Sequence, residues 1–449
     1  MPDRQTVLTP IERDPAPRDP LDLRAPRTLE ETGLRLDLVM QLLIKTLHFA
    51  GELSGVELAE RLGLTFPVIE PAVDVIKAQH LCEIVGGSNV GPPSYRYRIT
   101  TLGRDRAMTF LASNKYVGQA PVPIRHYRAY MDAFKDAEPI QASRPQVRQA
   151  FSHLVLTQRV LDQLGPAVNA GHSLFVYGPP GNGKTVVSQA IRNLLTGEIR
   201  IPHALDVDGQ IIQVFDPVNH EPIPEDPVGE GLDAEHQLDG RWARCKRPLV
   251  TVGGELVLES LELGYNAVAG FYRAPLQLVA NGGVLVIDDF GRQRVSPHAL
   301  LNRWIVPLEN RIDHLTLQSG QKLEVPFLVL PVFATNLKPA DLVDEAFLRR
   351  IHYKVLVESP TEDDFRQIFE NVCQERGLIY DRAMADHLLQ NVYPKRRIEL
   401  RGCHPRDLVD QALSLAKYLD EPRRLTTDLL ERACDGYFVD EDQGVTLMG

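Results

Sequence analysis

The chain has 449 residues, with 49 Lys and Arg against 60 Asp and Glu, a formal net charge of −11 and 43% hydrophobic residues. That length provides for two or three domains, and the acidic balance excludes a protein that coats nucleic acid by overall charge, though not a local basic surface. No apolar run approaches membrane-spanning length, the N-terminus MPDRQTVLTPIERDP lacks an apolar stretch, and five scattered cysteines contain no C-x-x-C pair. Neither a signal peptide, membrane insertion, a disulfide framework nor a zinc site is expected, and the expected location is cytoplasmic.

Residues 1–32 are charged and punctuated by Pro10, Pro15, Pro17, Pro20 and Pro26. Such a stretch buries no core and reads as a flexible arm, free to dock elsewhere. Residues 33–113 read as a small domain of three helical patterns (34–50, 54–64 and 65–81) followed by two strands, CEIVGG and YRYRIT, joined by a Gly/Pro-rich loop. Ser54 is a good N-cap, and Pro71 is expected to distort the first turn of the third helix. This order resembles a winged helix-turn-helix. The third helix offers Glu70, Asp74, Lys77, Gln79 and His80, whereas the wing carries Arg96 and Arg98, with Arg104 and Arg106 beyond. A DNA duplex repels carboxylates on a reading face, so protein docking is favoured over DNA binding. Residues 114–144 read as a linker, extended over 120–124, with Tyr116, Tyr127, Tyr130 and Phe134 available to pin it to a neighbour.

A helix is expected over 147–164, and the chain then reaches its most informative stretch, LFVYGPPGNGKT. Leu174–Tyr177 is a short β-prone run. Gly178, Pro179, Pro180, Gly181, Asn182, Gly183, Lys184 and Thr185 complete G-x-x-x-x-G-K-S/T, and Val186 opens a helix with Val187, Ile191, Leu194 and Leu195 on one face. Glycines let backbone N–H groups close around phosphate, the helix N-terminus adds partial positive charge, and Lys184 reaches the β- and γ-phosphates. The Thr185 hydroxyl is suited to hold Mg²⁺.

The partner motif is VLVIDDF, an apolar strand ending in Asp288 and Asp289. Ligands of open α/β sheets sit at the carboxyl ends of strands. Asp288 is the expected Mg²⁺ carboxylate and Asp289 the group that orients or deprotonates the attacking water. Lys184 and Asp288 are 104 positions apart, more than one strand-helix-strand-helix passage needs, so an insertion is expected at about 199–263. It begins as a β-ribbon, continues as the acidic loop 221–240 and ends basic, then β-like. A helix is expected near Pro275–Ala280, preceded by Tyr265, Phe271 and Tyr272, which read as packing residues or as a loop that grips a threaded chain. A hairpin turning at 318–321 follows, then a buried strand ending at Asn336, a polar group placed to orient water.

AFLRRIHY puts Arg349 and Arg350 at a helix end, where an arginine stabilises charge on a γ-phosphate in cis or from a partner subunit, or forms an ordinary salt bridge. Residues 359–449 read as a helical lid and tail. Thr361 caps its first helix with Asp364 three residues on, and Arg406 starts a later helix from which it can face a nucleotide.

Phosphate loop, Asp-Asp strand, Asn-ended strand, paired arginines and helical lid, in that order, resemble the AAA+ ATPase superfamily over about 145–437, and most closely the MoxR-type ATPases, annotated broadly as chaperone-like. The resemblance implies a three-layer α/β P-loop fold over 145–358 with a C-terminal helical lid. It implies ATP as ligand, Asn336 as sensor 1, Arg349 or Arg350 as arginine finger and Arg406 as sensor 2. It also implies a homo-oligomeric ring, commonly a hexamer, acting on a protein client. Asp289 departs from the Glu usual at its position, which points to slow hydrolysis; DnaA-like relatives share Asp-Asp. An ATP-controlled DNA-binding regulator, and a nucleotide-sensing scaffold with negligible turnover, are the alternatives.

Overall fold

The computed structural model describes residues 19–86, 91–225, 237–342 and 345–438. At its centre lies a five-stranded parallel sheet. Its strands run, edge to edge, Leu249–Val252, Val284–Ile287, Leu330–Thr335, Leu174–Tyr177 and Tyr353–Leu356. The alternation of side chains sends Phe175, Leu285, Ile287 and Phe333 to one face, where they meet Leu300, Leu301 and Trp304. Leu174, Val176, Val284, Val286 and Val332 go to the other, against Val160, Leu164, Val187 and Ile191. Both faces are covered, so these strands read as continuous apolar runs rather than alternating ones. Each large side chain buried here stabilises the layers by about 1.5–3 kcal/mol. Helix, sheet and helix make the three layers of an α/β P-loop NTPase fold.

The single helix expected over 147–164 is two. Arg144–Ala150 starts at a Ser143–Gln146 capping box and Gln158–Asn169 starts after Thr157; the intervening 151–157 breaks the helical pattern and carries pocket residues. The outermost strand of the parallel sheet, Leu249–Val252, lies inside the stretch 199–263 expected to be inserted. Four apolar residues without flanking caps look alike in a ribbon and in a buried strand, and only the pairing with Val284–Ile287 assigns them to the central sheet.

Glu198–Pro202 and Trp242–Lys246 pair as a separate antiparallel ribbon, while two strands of that stretch, Ala204–Val207 and Gln210–Gln213, join a second five-stranded sheet in the order Gly264–Asn266, Phe271–Arg273, Gln210–Gln213, Ala204–Val207, Val122–Pro123. A hairpin turned on Asp208 and Gly209, both at positive φ, supplies its middle strands. The loop expected over 221–240 lies largely outside the described residues. Val122–Pro123 pairs with Leu205 and Asp206, and the helix Ile124–Ala137 that follows buries Tyr127, Tyr130 and Phe134, with Tyr130 against Trp242 at 4.9 Å between ring centroids. Tyr272 is buried, Tyr265 packs on it at 4.9 Å and Phe271 meets Tyr116 at 5.7 Å, so these aromatics are packing residues in the described chain.

The N-terminal module contains helices Leu36–Ala50, Gly55–Leu62 and Phe66–Ala78, and a sheet in the order Glu52–Ser54, Arg96–Ile99, Cys82–Gly86, followed by a helix Thr101–Ser113. Ser54 and Glu57 form a capping box. Pro71 sits inside a helix that runs unbroken through it. Residues 19–32, expected to belong to a flexible arm, are packed: Leu21 and Leu23 lie against the core of the second sheet, and Arg24 forms a β-bridge with Leu238. Two leucines among prolines were enough apolar surface to dock. Residues 1–18 lie outside the described residues. A Cβ on Gly63 would stand 2.5 Å from the backbone of Gly240, so the module meets the turn that leads into Trp242–Lys246 backbone to backbone.

Beyond the sheet, helices Glu362–Glu375, Arg382–His387, His404–Tyr418 and Thr427–Tyr437 share one core built on Phe365, Phe369, Leu408, Val409 and Leu430. Thr361 and Asp364 complete the expected capping box. None of the described helices is long and apolar enough to cross a membrane.

Candidate functional site

Leu174–Tyr177 ends in a loop whose Gly178, Gly181 and Gly183 all have positive φ (147°, 78° and 76°). At Gly178 a Cβ would fall 2.1 Å from the Val357 carbonyl oxygen, so the turn requires glycine. Gly183 in the left-handed conformation hands the chain to the helix Lys184–Ala190. Lys184 is 7% exposed, and its Nζ donates to the Pro179 carbonyl at 2.7 Å, folded back across the loop. Burial lowers its pKa; Asp289 and Asp288 oppose that shift and Arg401 adds to it.

Hydrogen bonds draw the other polar residues together. The Thr185 hydroxyl donates to Asp288 Oδ2 at 2.7 Å. The Asp289 N–H donates to Asp288 Oδ1 at 3.0 Å, and Asn336 Nδ2 donates to Asp289 Oδ1 at 3.2 Å. Asp289 has φ 49°, a region Asp tolerates better than most residues. Strand order explains the meeting: Val284–Ile287 and Leu330–Thr335 are neighbours, so their carboxyl ends deliver Asp288, Asp289 and Asn336 side by side. Gln293, which had no sequence signal, donates through Nε2 to the Asp288 carbonyl at 2.6 Å and holds the turn.

These groups line a cavity of about 450 Å³, whose wall also contains Pro180, Gly181, Asn182, Gly183, Val186 and Arg406. Arg406 is bonded through Nε to Asp407 Oδ1 at 3.0 Å. Other parts of the wall were missed, among them His153–Leu156 from the break between two helices, and Ile368, Asn371, Val372 and Glu375 from the first lid helix. A capping box marked that helix, but nothing in its sequence marked the face it turns inward. Pro179 contributes its carbonyl to Lys184. Arg349 and Arg350 are not brought into this wall. Arg349 pairs with Glu345 at 2.8 Å with a 77% exposed side chain, and Arg350 pairs with Glu309 at 2.5 Å.

The chemistry of the donors fits a magnesium ion. Thr185 and Asp288 offer hard oxygen ligands at the mouth of a phosphate loop, and Mg²⁺ is typically held by one or two protein oxygens plus substrate phosphates rather than by an all-protein cage. Among the described residues there is no group of three or more His, Cys, Asp or Glu able to hold a metal.

Fold and site together define an α/β P-loop NTPase fold with a helical lid. Residues 361–436 match a family described as a domain of unknown function (DUF8689). No curated protein matches the chain. Among solved structures the chain is similar to the RuvB Holliday junction branch migration motor of Thermotoga maritima, with 14% identity over 63% of this chain and 70% of that one, at a TM-score of 0.36. It is also similar to NtrX from Brucella abortus in complex with ADP, with 15% identity over 73% of this chain and 64% of that one, at a TM-score of 0.38.

Proposed function

We propose that this protein binds ATP with Mg²⁺ and hydrolyses it as a homo-oligomeric, hexamer-sized ring of the MoxR type in the cytoplasm, remodelling a protein client. The observation that carries the reading is the hydrogen-bonded row Thr185–Asp288–Asp289–Asn336 at the mouth of the phosphate loop. Thr185 and Asp288 would hold Mg²⁺, which when bound would supply charge neutralisation to the phosphates. Lys184 leaves the Pro179 carbonyl and pairs with the β- and γ-phosphates. Asn336 holds Asp289 by one oxygen, leaving the other to accept the proton of the attacking water. Arg406 approaches the phosphates from the lid. Arg349 or Arg350, outside the cavity of its own subunit, completes the site of a neighbour.

The N-terminal module, winged-helix-like in element order, serves as the docking module. Its third helix buries Phe66, Val68, Ile69, Ala72, Val73 and Ile76, and turns Pro67, Pro71 and an Asp74–Lys77 ion pair outward. Arg96 and Arg98 both pair with Glu52 at 2.5 and 2.8 Å. Wing arginines held by Glu52, and a third helix whose one lysine is paired, support a protein partner over a DNA duplex.

Capture of a trapped partner tests the reading. Asp289→Asn keeps Asp288 for the metal and is expected to bind ATP but turn it over slowly. A protein enriched with this variant and ATP, and absent with Lys184→Ala, identifies the client. Enriched DNA from defined sites instead establishes the regulator. Parent protein that neither binds ATP nor hydrolyses it sinks the whole proposal.

A further inference from the structure

A second cavity, of about 380 Å³, lies at the opposite end of the parallel sheet from the phosphate loop. Its floor is made of the residues that lead into three adjacent strands: Gly282 and Gly283, Leu328 and Val329, and Gly171 and His172. Two arginines are set into it. Arg247 is 5% exposed; its Nε, Nη1 and Nη2 donate to the carbonyls of Thr196, Gly282 and Glu138 at 3.2, 3.0 and 3.3 Å, and its guanidinium lies 4.3 Å from the ring centre of Phe134. Arg311 donates through Nη1 to the Val329 carbonyl at 3.2 Å and through Nη2 to the Gly171 carbonyl.

Carbonyl oxygens solvate a guanidinium but do not neutralise it, and a charge removed from water is ordinarily matched by an opposite one. Neither arginine forms an ion pair among the described residues. Burial lowers the pKa of both, and the only carboxylate whose charge reaches Arg247 is Glu138, an exposed residue at the cavity rim. Lys135 also lines the cavity. Three cations therefore face one carboxylate.

We propose that this cavity is a second anion site, which takes a phosphate-type oxyanion, either inorganic phosphate or pyrophosphate or the phosphate tail of a nucleotide. The carbonyls that fix each guanidinium also orient its remaining N–H donors, and a fixed planar fork suits tetrahedral oxyanions. The site adjoins the arginine-finger candidates: His172 stacks on His352 at 4.7 Å, and Ser173 Oγ donates to the Arg350 carbonyl at 3.3 Å. An anion held there lies against the segment that follows Arg350.

The test uses the full chain with Lys184→Ala, which weakens the phosphate loop as an anion site. Phosphate, pyrophosphate and ATP are titrated separately at constant ionic strength with chloride as balance, and thermal stability is read. A saturable rise with phosphate or pyrophosphate is expected. A rise with ATP alone assigns the site to a nucleotide tail. Adding Arg311→Gln is expected to weaken the response by about tenfold. If that variant does not fold, Lys135→Gln is read in its place, with a loss of about threefold. An independent readout is the His172 ring titration by NMR: burial, Arg311 and His352 lower its pKa, and a bound anion raises it. A response that fails to saturate, that persists in both variants, or that leaves His172 unmoved overturns the assignment.

Discussion

Asn182 in the phosphate loop accepts a hydrogen bond at Oδ1 from the N–H of Gly402 in the lid, at 3.0 Å and across 220 positions of sequence. Its Nδ2 donates to Ser359 Oγ at 3.2 Å, and the Cys403 N–H donates to the Gly181 carbonyl at 2.8 Å. Loop and lid are thus fastened by the Asn182 side chain and the Gly181 carbonyl, without use of the loop N–H groups. Asn182 is 8% exposed, so these bonds are made out of water.

Asn182→Ala removes both side-chain bonds and leaves the loop backbone in place. A net loss of about 1–2 kcal/mol is expected, which weakens nucleotide binding by about five- to thirtyfold. Asn182→Asp keeps the acceptor for Gly402 but sets a carboxylate in the wall of the nucleotide cavity, where it repels phosphate, so its loss of nucleotide binding is larger. Titration with a fluorescent nucleotide measures both. An Ala variant that binds as tightly as the parent shows that the lid does not depend on this contact.

The parts legible in the sequence were those written in consecutive residues. The phosphate loop, the strand ending in Asp288 and Asp289, the strand ending at Asn336 and the Thr361 cap each carry their own local signal. What was illegible depends on partners distant in the chain. Leu249–Val252 became a central-sheet strand only through its register with Val284–Ile287. His153–Leu156 entered the cavity because a helical pattern breaks there, and periodicity alone ran through the break. Arg401, whose stem carbons would stand 3.4 and 3.6 Å from a Cβ on Gly181, was passed over for Arg406 because it precedes the helix rather than starting it.

The two candidate finger arginines differ in how firmly they are held. Arg349 is tied to Glu345 one turn back in its own helix, an exposed pair worth about 0.3–0.5 kcal/mol. Arg350 reaches a separate helix through Glu309 and is less exposed. Arg349 is the freer to enter a neighbouring subunit. Arg349→Ala is expected to lower kcat by about 10³-fold with nucleotide binding retained. Arg350→Ala is expected chiefly to lower stability. Mixing Arg349→Ala chains with Lys184→Ala chains is expected to restore part of the activity, because some interfaces then carry both an intact loop and an intact finger. Absence of any recovery in co-assembled chains argues against action between subunits.

Glu52 accepts from Arg96 and Arg98 together, and both arginines hold its carboxyl below the usual range. The parent is therefore expected to show no sequence-specific affinity for duplex DNA at physiological salt. Glu52→Gln releases both wing cations and is expected to produce weak, strongly salt-dependent duplex binding, with a slope that gains about one to two phosphate contacts. Gel-shift titrations over a salt series measure it. Tight, sequence-selective binding by the parent would restore the DNA-regulator reading.

Lys45 lies in the helix Leu36–Ala50 at 1% exposure, with Nζ donating to the Asn114 carbonyl at 3.2 Å. Burial lowers its pKa from the ordinary 10.5 to about 8. Between these two values the unfolded chain holds the proton and the folded chain releases it, so unfolding takes up protons and stability rises with pH. Below pH 8 both states are charged and the folded state carries the whole penalty, about 3 kcal/mol for a shift of this size. Lys45→Met removes the charge, keeps the length of the side chain and forfeits one hydrogen bond to a carbonyl. It is expected to raise stability at pH 7 by about 2 kcal/mol. Urea unfolding at pH 7 and pH 9.5 measures the difference. The parent gains stability over that interval through Lys45 and the Met variant lacks this gain, so the two curves converge as pH rises. Parallel curves at the two pH values mean that Lys45 reaches water and keeps its ordinary pKa.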